Sequence, residues 1–551
     1  MTDDGAVAQA EPDAINRLLI TLDLTLGSKR FTVPGGNIKN LTLALRPFGF
    51  SGSLDFWFVC IKDASEDGIL SEFVKQDLAT CKLTLDRGFD TVGESADPTV
   101  LRGVVVERAV SERAFGDITG EPVLQRHYHI AFGDRAQVMW RQHYPTALYV
   151  DKTLAQLVDD NKPDGVKLTH AWQPGQVKYP VLSLALGAED DGASFYDYLH
   201  WLLDQHQCGL FYDYVTDCYT LSDKKKEFGS AVEVIPDDVR SWVNRYPPVM
   251  RAAVSVLNGC TLASTTAQTV ENEQKVSGVR RDYLLRSSVA SDLSDRAKLE
   301  TKRHAQWQPQ AEVDFARYPS TTMRPNLLLK FGQWSKNVYQ FGKQYRVREV
   351  DVQASAQAQG PTDQLEDPSN AYRVEYRARL ERKEETRFAY PPFRRPSWDL
   401  HVEGKVVSEV GEETQETYQS YKDDNTAIDY YKVEVPLWKK RKVVVAYEPL
   451  FAPGHFYFPL YKGQRVLVAL GYARATVVGF VDWRPGARLP LETQGNHLLL
   501  GKQSEDQTSI SHVYKDARPQ LNIERSHGKD RQTLEVSEGR IFLRTLSTDG
   551  N

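Results

Sequence analysis

The chain has 551 residues, enough for roughly three to five domains of about 150 residues each and for large hydrophobic cores. Hydrophobic residues make up 41% of it and charged residues 26%, and the formal net charge is only -6. This near balance argues against a protein that acts as a whole on nucleic acid or on a membrane surface.

The five cysteines are widely spaced and include no CxxC pair: Cys60, Cys81, Cys208, Cys218 and Cys260. Their number and spacing predict buried thiols in a reducing compartment, without a disulfide framework or a zinc site. The first residues, MTDDGAVAQAEPDA, have neither the basic start nor the apolar segment of a secretory signal peptide. We therefore expect synthesis in the cytoplasm without a signal peptide of the ordinary secretory type.

The first block of the chain is predicted to be rich in strands. After a flexible tail at residues 1–15, the run LLITLDLTL at 18–26 alternates apolar and polar residues, and similar runs continue to about Tyr144. A short helix is predicted around residues 69–78. The block is predicted to form a β-barrel or a strongly bent sheet.

Helical patterns appear in the middle of the chain. Asp151 is predicted to be the N-cap of a helix in DKTLAQLVDDN, whose apolar residues fall on one face. A longer helix, SFYDYLHWLLDQHQC, is predicted to begin near Ser194 and to lead into a hairpin with its turn at 215–217. These elements predict a middle α/β domain.

Strand patterns return at 249–262 and at 345–382. The clearest alternation is in AYRVEYRARLER, and SDLSDRAKLETKRHAQW between the two regions is predicted to be helical. This block is predicted to be a second barrel related to the first.

The stretch from Tyr430 to Trp483 contains four β-rich runs separated by proline and glycine, at 433–436, 442–447, 465–470 and 475–481. This spacing is typical of a small closed barrel, which WDLHVEGKVVSEVG is predicted to open.

Beyond the barrel, the chain has short alternating strands: HLLLGK, TSISHVY, QLNIERS, QTLEVSE and GRIFLRTLS. Leu534 and Val536, and then Ile541, Leu543 and Thr545, are spaced two apart. A lone ribbon of this kind is only marginally stable in water. Three copies wound about a common axis would bury these side chains and remove the exposed strand edges.

Three groups of residues suggest binding or catalytic chemistry. Trp438, Lys439, Lys440, Arg441 and Lys442 place a basic run beside an aromatic ring, as nucleic-acid and sugar sites do, but such a run is more often a solvated edge or an interface loop.

His127 and His129 lie two apart on one strand face, a spacing that can ligate a metal ion, but no third ligand is identifiable nearby. They are predicted to be ordinary histidines of a barrel wall, and no metal site is assigned.

The adjacent carboxylates Glu412 with Glu413, and Asp423 with Asp424, lie in polar stretches rich in turns. Glycosidase chemistry needs two carboxyl groups held at a defined separation in a cleft. The sequence also lacks a GxSxG motif and a phosphate-binding loop. We assign no catalytic residue and no cofactor, and catalysis is the less favoured class.

Four segments together resemble a known family. RLERKEETRFAYPPFRRP is similar to the joint before the barrel of the type VI secretion spike protein VgrG. YYKVEVPLW, FYFPLYKGQRVLVAL and VVGFV resemble the oligosaccharide/oligonucleotide-binding (OB) domain of VgrG and of phage tail spikes. SFYDYLHWLLDQHQCGLFYDY, and HYHIAF with YVDKTLAQLVDDN, resemble segments of the hub body.

The resemblance implies a homotrimeric baseplate hub and spike. Its partners would be baseplate proteins, a hexameric inner tube protein, and a PAAR-type tip with an effector cargo, whereas nucleic acid would not be a partner. The target cell envelope would be touched only during puncture, and the contractile particle would be cytoplasmic or released from the cell.

The implied fold is mainly β with an α+β hub. The predicted domains are a tail at 1–15, hub barrel 1 at 16–147, a middle α/β hub domain at 148–248, hub barrel 2 with a helical insertion at 249–395, an OB-fold domain at 396–486, and a trimeric β-helical needle stem at 487–551.

Two alternatives come from other functional classes. One is a cell-wall glycan hydrolase with OB and β-rich accessory domains, and the other is a monomeric OB-type binding protein. Turnover of peptidoglycan would favour the first, and a solution mass near 62.5 kDa would favour the second.

Overall fold

The computed structural model describes most of the chain. The described residues are 18–60, 67–87, 98–115, 123–187, 192–261, 263–331, 343–360, 367, 370–398, 400–412, 417–423, 428–447, 458–481, 495–503 and 505–547. The predicted tail at 1–15 lies outside them.

Strands dominate the described residues. In chain order, those before residue 250 are β1 (Leu18–Leu26), β2 (Lys29–Val33), β3 (Ile38–Arg46), β4 (Gly49–Cys60), β5 (Ala79–Arg87), β6 (Thr99–Phe115), β7 (Val123–Asp134), β8 (Thr146–Thr153), β9 (Leu168–Ala171), β10 (Lys178–Ala185), β11 (Gly209–Asp213), β12 (Cys218–Ser222), β13 (Val232–Val234) and β14 (Val239–Arg245).

The remaining strands are β15 (Ala253–Asn258), β16 (Ala267–Val270), β17 (Arg280–Leu285), β18 (Gln310–Phe315), β19 (Leu328–Phe331), β20 (Gln344–Ala356), β21 (Tyr372–Arg382), β22 (Leu400–Val407), β23 (Tyr421–Asp423), β24 (Ile428–Val435), β25 (Arg441–Tyr447), β26 (Arg465–Leu470), β27 (Ala475–Phe480), β28 (Asn496–Gln503), β29 (Asp506–Lys515), β30 (Arg518–His527), β31 (Asp530–Ser537) and β32 (Arg540–Leu546).

Five α-helices accompany these strands within the described ranges: α1 (Leu70–Phe73), α2 (Arg135–Trp140), α3 (Leu154–Asp160), α4 (Phe195–His206) and α5 (Ala290–Arg303). The mainly β fold class is therefore confirmed. None of the described helices is long and apolar enough to cross a membrane.

The chain divides into two compact units. Unit 1 comprises residues 1–145, 153–177 and 186–396, and unit 2 comprises 146–152, 178–185 and 397–551. The domain boundaries given above remain a prediction.

One sheet of 13 strands organises unit 1. Its main path runs β14-β18-β21-β20-β3-β4-β7-β6-β5-β1-β2, and β19 joins β13 to β20. The pairing of β20 with β3, for example Val352 with Leu43, connects strands from the two predicted hub barrels. The strand-rich blocks at the two ends of unit 1 therefore share one continuous sheet.

Alternating side chains explain how this sheet forms its core. Every second residue of β1, from Leu18 to Leu26, is buried, and β21 buries Tyr372, Val374, Tyr376 and Ala378 as the sequence predicts. Because successive side chains of a strand point to opposite faces, this pattern gives the sheet one apolar face and one charged face.

Smaller elements pack in unit 1. The predicted hairpin is confirmed as β11 paired with β12, and β9 adds to it in parallel. β15 lies between β16 and β17, and α5 covers that small sheet with Leu293 and Ala297 against Val254 and Val256.

The helix caps confirm one prediction and correct another. Ser194 is the N-cap of α4, and its side chain and that of Asp197 form a reciprocal capping box. Asp151 is not the N-cap of α3, because it lies within β8 at a φ of 54°. Thr153 takes that place, since its hydroxyl accepts from the Gln156 amide while the Gln156 side chain accepts from the Thr153 amide.

A closed barrel forms the core of unit 2. Its strands follow the order β22-β26-β27-β25-β24, and β24 pairs back to β22, as predicted for a small closed barrel, while β23 adds at β24. Gly404 permits this closure, because a Cβ at that position would lie 2.2 Å from Cγ1 of Val433.

Two strands from early in the chain complete the barrel core. β8 and β10 pair with each other, and Leu148 and Val181 are buried with Val433, Val445 and other barrel residues. Ser183 also donates its hydroxyl to the carbonyl of Gly471 at 2.7 Å.

All five cysteines are free thiols, and Cys60, Cys81 and Cys208 are buried. Burial raises the pKa of Cys81 and of Cys208 to about 12, so both thiols are protonated at neutral pH.

A buried ionic cluster joins β20 and β21 to the chain after β12. Glu381 accepts from Arg346 Nη1 at 2.8 Å and from Lys225 Nζ at 2.8 and 3.0 Å. Arg346 also donates to Glu227 at 2.9 Å. Burial is the largest effect on Lys225 and lowers its pKa, although the charge of Glu381 opposes that shift. Glu381 thus compensates two buried cations.

We expect Glu381→Gln to lower the free energy of unfolding of unit 1 by about 3 to 5 kcal/mol, because it leaves Lys225 buried without its ion-pair partner and Arg346 with Glu227 alone. Urea titration followed by tryptophan fluorescence measures this change. The matched control is Asp295→Asn, which removes the exposed Lys298–Asp295 pair at 2.9 Å and should cost less than about 1 kcal/mol. Equal losses for the two variants would contradict this account.

His200 of α4 makes folding sensitive to acid. Its side chain is buried against the rings of Tyr196 and Phe48, and neither ring nitrogen has a hydrogen-bond partner among the described residues. Burial lowers its pKa from 6.5 to about 3. The unfolded chain therefore binds a proton below pH 6.5 that the folded chain cannot bind, so stability is lost as the pH falls from 6.5 towards 3.

We expect His200→Leu to remove this part of the pH dependence. At pH 5 the native protein should lose about 2 kcal/mol relative to pH 7.5 that the variant does not lose. Titratable groups present in both proteins contribute equally to both pH dependences, so their contribution cancels in the comparison. One of them is Asp134, whose pKa is raised to about 6 by burial, so that it adds stability as the pH falls. Urea titrations at both pH values measure the difference, and parallel losses in the two proteins would refute the assignment.

Candidate assembly interface

The C-terminal sheet carries an exposed apolar surface. β28 to β32 form an antiparallel meander in which each strand pairs with the next. All five predicted tail strands are present. Their register decides which side chains share a face.

This register aligns two apolar rows on one face. The first row crosses all five strands by direct pairing: Leu498, Ile510, Ile523, Leu534 and Leu543. The second lies beside it across four strands and is apolar except at its first member: His512, Leu521, Val536 and Ile541. We call these two rows the apolar ladder. Because neighbouring strands lie about 4.8 Å apart, the first row spans roughly 19 Å.

The apolar ladder is open to solvent in the single chain. Leu543 is 77% exposed and Ile541 is 72% exposed, while Leu498, Leu521 and Ile523 are each between 37% and 41% exposed. A contiguous apolar surface of this kind marks a contact with another macromolecule.

The opposite face of the sheet is more polar. It presents Ser509, Ser511, Asn522, Glu524, Thr533, Glu535 and Arg544, together with the apolar residues Leu499, Val513, Phe542 and Leu546. The asymmetry indicates which face an assembly would cover.

Sequence reasoning identified only part of this surface. It singled out Leu534, Val536, Ile541 and Leu543, but not Leu498, Ile510, Leu521 or Ile523. The period-two pattern in HLLLGK, TSISHVY and QLNIERS carries the missing signal. The alignment of the rows depends on register, which the pattern alone does not state.

The basic run of the barrel serves a turn between strands. Lys439 and Lys440 have φ values of 53° and 59° between β24 and β25. Trp438 packs against the barrel core, and Arg441 donates to the carbonyl of Leu148. The aromatic ring and this arginine therefore have structural contacts within unit 2.

His127 and His129 point to one face of β7, and each contacts a residue of β4. The His127 ring stacks on Trp57 at 4.2 Å, and His129 Nδ1 lies 2.6 Å from Oδ1 of Asp55. Burial and the charge of Arg113 lower the pKa of His127. The described residues contain no group of three or more metal-ligating side chains.

Only one residue of each carboxylate pair lies within the described residues. Glu412 is exposed and Asp423 ends β23, whereas Glu413 and Asp424 lie outside the described residues.

No protein-family model and no curated protein sequence matches the chain. Solved structures, however, are similar to the chain. A chain of "Structure of Francisella PdpA-VgrG Complex, Lidded" is 13% identical, with a TM-score of 0.71 over 97% of this chain and 81% of that chain. A chain of "Structure of PdpA-VgrG Complex, Lidless" is 13% identical, with a TM-score of 0.69 over 98% of this chain and 100% of that chain. The chain therefore has the fold found in the PdpA-VgrG complexes, which confirms the resemblance to VgrG-like hub-spike proteins predicted from its sequence.

Proposed function

We propose that this protein is the structural hub and spike of a contractile injection apparatus and that it works as a homotrimer. Its N-terminal unit joins the baseplate and the hexameric inner tube, and its C-terminal sheet forms a needle with two further copies. Contraction of a sheath drives this needle into a target envelope.

The observation that carries the proposal is the apolar ladder. Its aliphatic side chains are exposed in one chain, and three copies around an axis would cover them with one another while closing the sheet edges. Exposure of such a surface on a free monomer is unfavourable, because each buried Ile or Leu side chain contributes about 1.5 to 3 kcal/mol. The fold shared with the PdpA-VgrG complexes supports the same assignment.

Interchain pairing also suits the mechanical task. A needle has to resist shear at the moment of puncture, and unfolding of one chain in an interlocked trimer requires breaking its contacts with the other two. In this role the protein has no catalytic step, and an effector cargo would supply any toxic activity.

The proposed partners follow from this placement. They are baseplate proteins, a hexameric inner tube protein and a PAAR-type tip with its cargo, and the envelope is touched only during puncture. Assembly starts in the bacterial cytoplasm, and the finished particle remains there or is released.

The full chain should have a solution mass three times its chain mass of 62.5 kDa. Light scattering coupled to size exclusion measures this mass, and electron microscopy of the same sample should show threefold particles with a wide ring and a narrow stem. A stable 62.5-kDa monomer at micromolar concentration would overturn the proposal.

Two matched double variants should identify the face that assembles. Ile541→Glu with Leu543→Glu places two charges on the apolar ladder, and we expect the trimer to dissociate because those charges would be buried between chains. Phe542→Glu with Leu546→Glu alters the same strand on its opposite face, where both side chains are 47% exposed. Sedimentation velocity compares the two.

The control variant should keep the trimeric mass. Dissociation of both variants to the same extent would mean that the ladder face has no special role, and retention of the trimer by both would place the contact elsewhere.

A further inference from the structure

A charged cavity lies in unit 1. Its volume is about 410 Å³. Four parts of the chain form its wall: the β1–β2 hairpin, the paired strands β5 and β6, the start of α2 with the loop at 165–167, and the segment from Asp217 to Tyr219. None of the three candidate binding or catalytic groups discussed above lines it.

Positive charge dominates the cavity wall. Five cationic side chains line it, namely Arg30, Lys82, Arg102, Arg135 and Lys167, and two carboxylates, Asp23 and Asp217. Cross-strand pairing places Asp23 of β1, Lys82 of β5 and Arg102 of β6 in one row. The formal surplus is therefore three positive charges in a chain whose net charge is -6.

The two carboxylates already have partners. Asp23 Oδ2 lies 2.7 Å from Arg30 and 3.8 Å from Lys82. Asp217 Oδ1 accepts a hydrogen bond from the hydroxyl of Tyr212 at 2.7 Å.

Three cations remain without a counter-charge. Within the described part of the chain, Arg102, Arg135 and Lys167 form no ion pair, and Arg135 donates only to the carbonyl of Asp164 at 3.4 Å. Elsewhere on the charged face of the same sheet, arginines pair with carboxylates at short range: Arg377 with Asp314 at 2.7 Å, Arg245 with Glu312 at 2.8 Å and Arg379 with Glu349 at 2.9 Å. Arg102, Arg135 and Lys167 have no such carboxylate within the described ranges, and all three line the same cavity.

We propose that this cavity binds a small anion with two linked phosphate groups, held by Arg102, Arg135 and Lys167. Guanidinium groups match phosphate oxygens through paired N–H donors, and an ammonium group adds a compact charge. A single phosphate carries roughly 1.5 to 2 negative charges, so two linked phosphates balance the three uncompensated cations.

The shape of the cavity favours a compact ligand over an acidic peptide. The three cations come from β6, from α2 and from the loop before β9, so they converge on one space instead of following a line. An extended peptide spaces its carboxylates along a groove, whereas two linked phosphates present all their charge within a few bonds. A cavity whose wall carries a surplus of positive charge also concentrates small anions.

The test is calorimetric titration of the full chain with sodium pyrophosphate at low ionic strength, without divalent cations. We expect saturable binding that weakens with added salt. Arg102→Gln with Lys167→Gln should weaken binding by at least about tenfold, since two charge-assisted contacts are lost. Both side chains are exposed, so the variant should fold.

The matched control is Arg373→Gln with Lys330→Gln, which removes two exposed charges of the same unit outside the cavity and should bind as the native chain does. Asp217→Asn removes a carboxylate of the cavity, and we expect it to bind pyrophosphate several-fold more tightly. The Asn side chain can still accept from Tyr212 and tolerates the φ of 52° at this position.

Titrations with ADP and with hexaglutamate complete the experiment. Binding of ADP as well as pyrophosphate would indicate that the site accepts a diphosphate with an attached group. No binding of pyrophosphate, equal weakening in the cavity variant and the control, or tighter binding of hexaglutamate would each overturn the proposal.

Discussion

The pairing of β3 with β20 is the interaction on which unit 1 depends. Leu41, Leu43 and Leu45 lie opposite Ala354, Val352 and Val350, residues some 300 positions later in the chain. This pairing turns two strand-rich blocks into one sheet and removes an exposed edge from each of them. The cost of closing so long a loop grows only slowly with its length, so a long row of backbone hydrogen bonds and apolar contacts can offset it.

The continuous sheet also determines where charge is tolerated. Arg377, Arg245 and Arg379 on its charged face pair with carboxylates of neighbouring strands. Among the buried side chains of β20 and β21, Glu381 compensates both Arg346 and Lys225. Arg102, Arg135 and Lys167 differ from these because they line one cavity without a carboxylate partner among the described residues. Compensated charges secure the fold, whereas uncompensated charges at a cavity are available to a ligand.

Unit 2 presents the opposite case, in which apolar side chains have no cover. Its barrel is closed and filled, partly by Leu148 and Val181 from β8 and β10. The sheet of β28 to β32 keeps the apolar ladder exposed. A single chain therefore buries the apolar side chains of the barrel core, whereas it leaves the apolar ladder of the C-terminal sheet exposed to solvent.

The sequence by itself determined most of the local structure, because alternation along a strand and capping at a helix start depend on neighbouring residues. It located β1, β21, the barrel strands, the tail strands and the start of α4 at Ser194. It misplaced the cap of α3, although Thr153 and Gln156 carry a capping-box signature, because β8 extends through Asp151. Pairings between distant residues were decided only by the tertiary structure: β3 with β20, Leu148 with the barrel core, the row from Leu498 to Leu543, and the convergence of Arg102 with Lys167. A shift of one residue in any strand register would move its side chains to the other face, and no local pattern specifies that register across hundreds of residues.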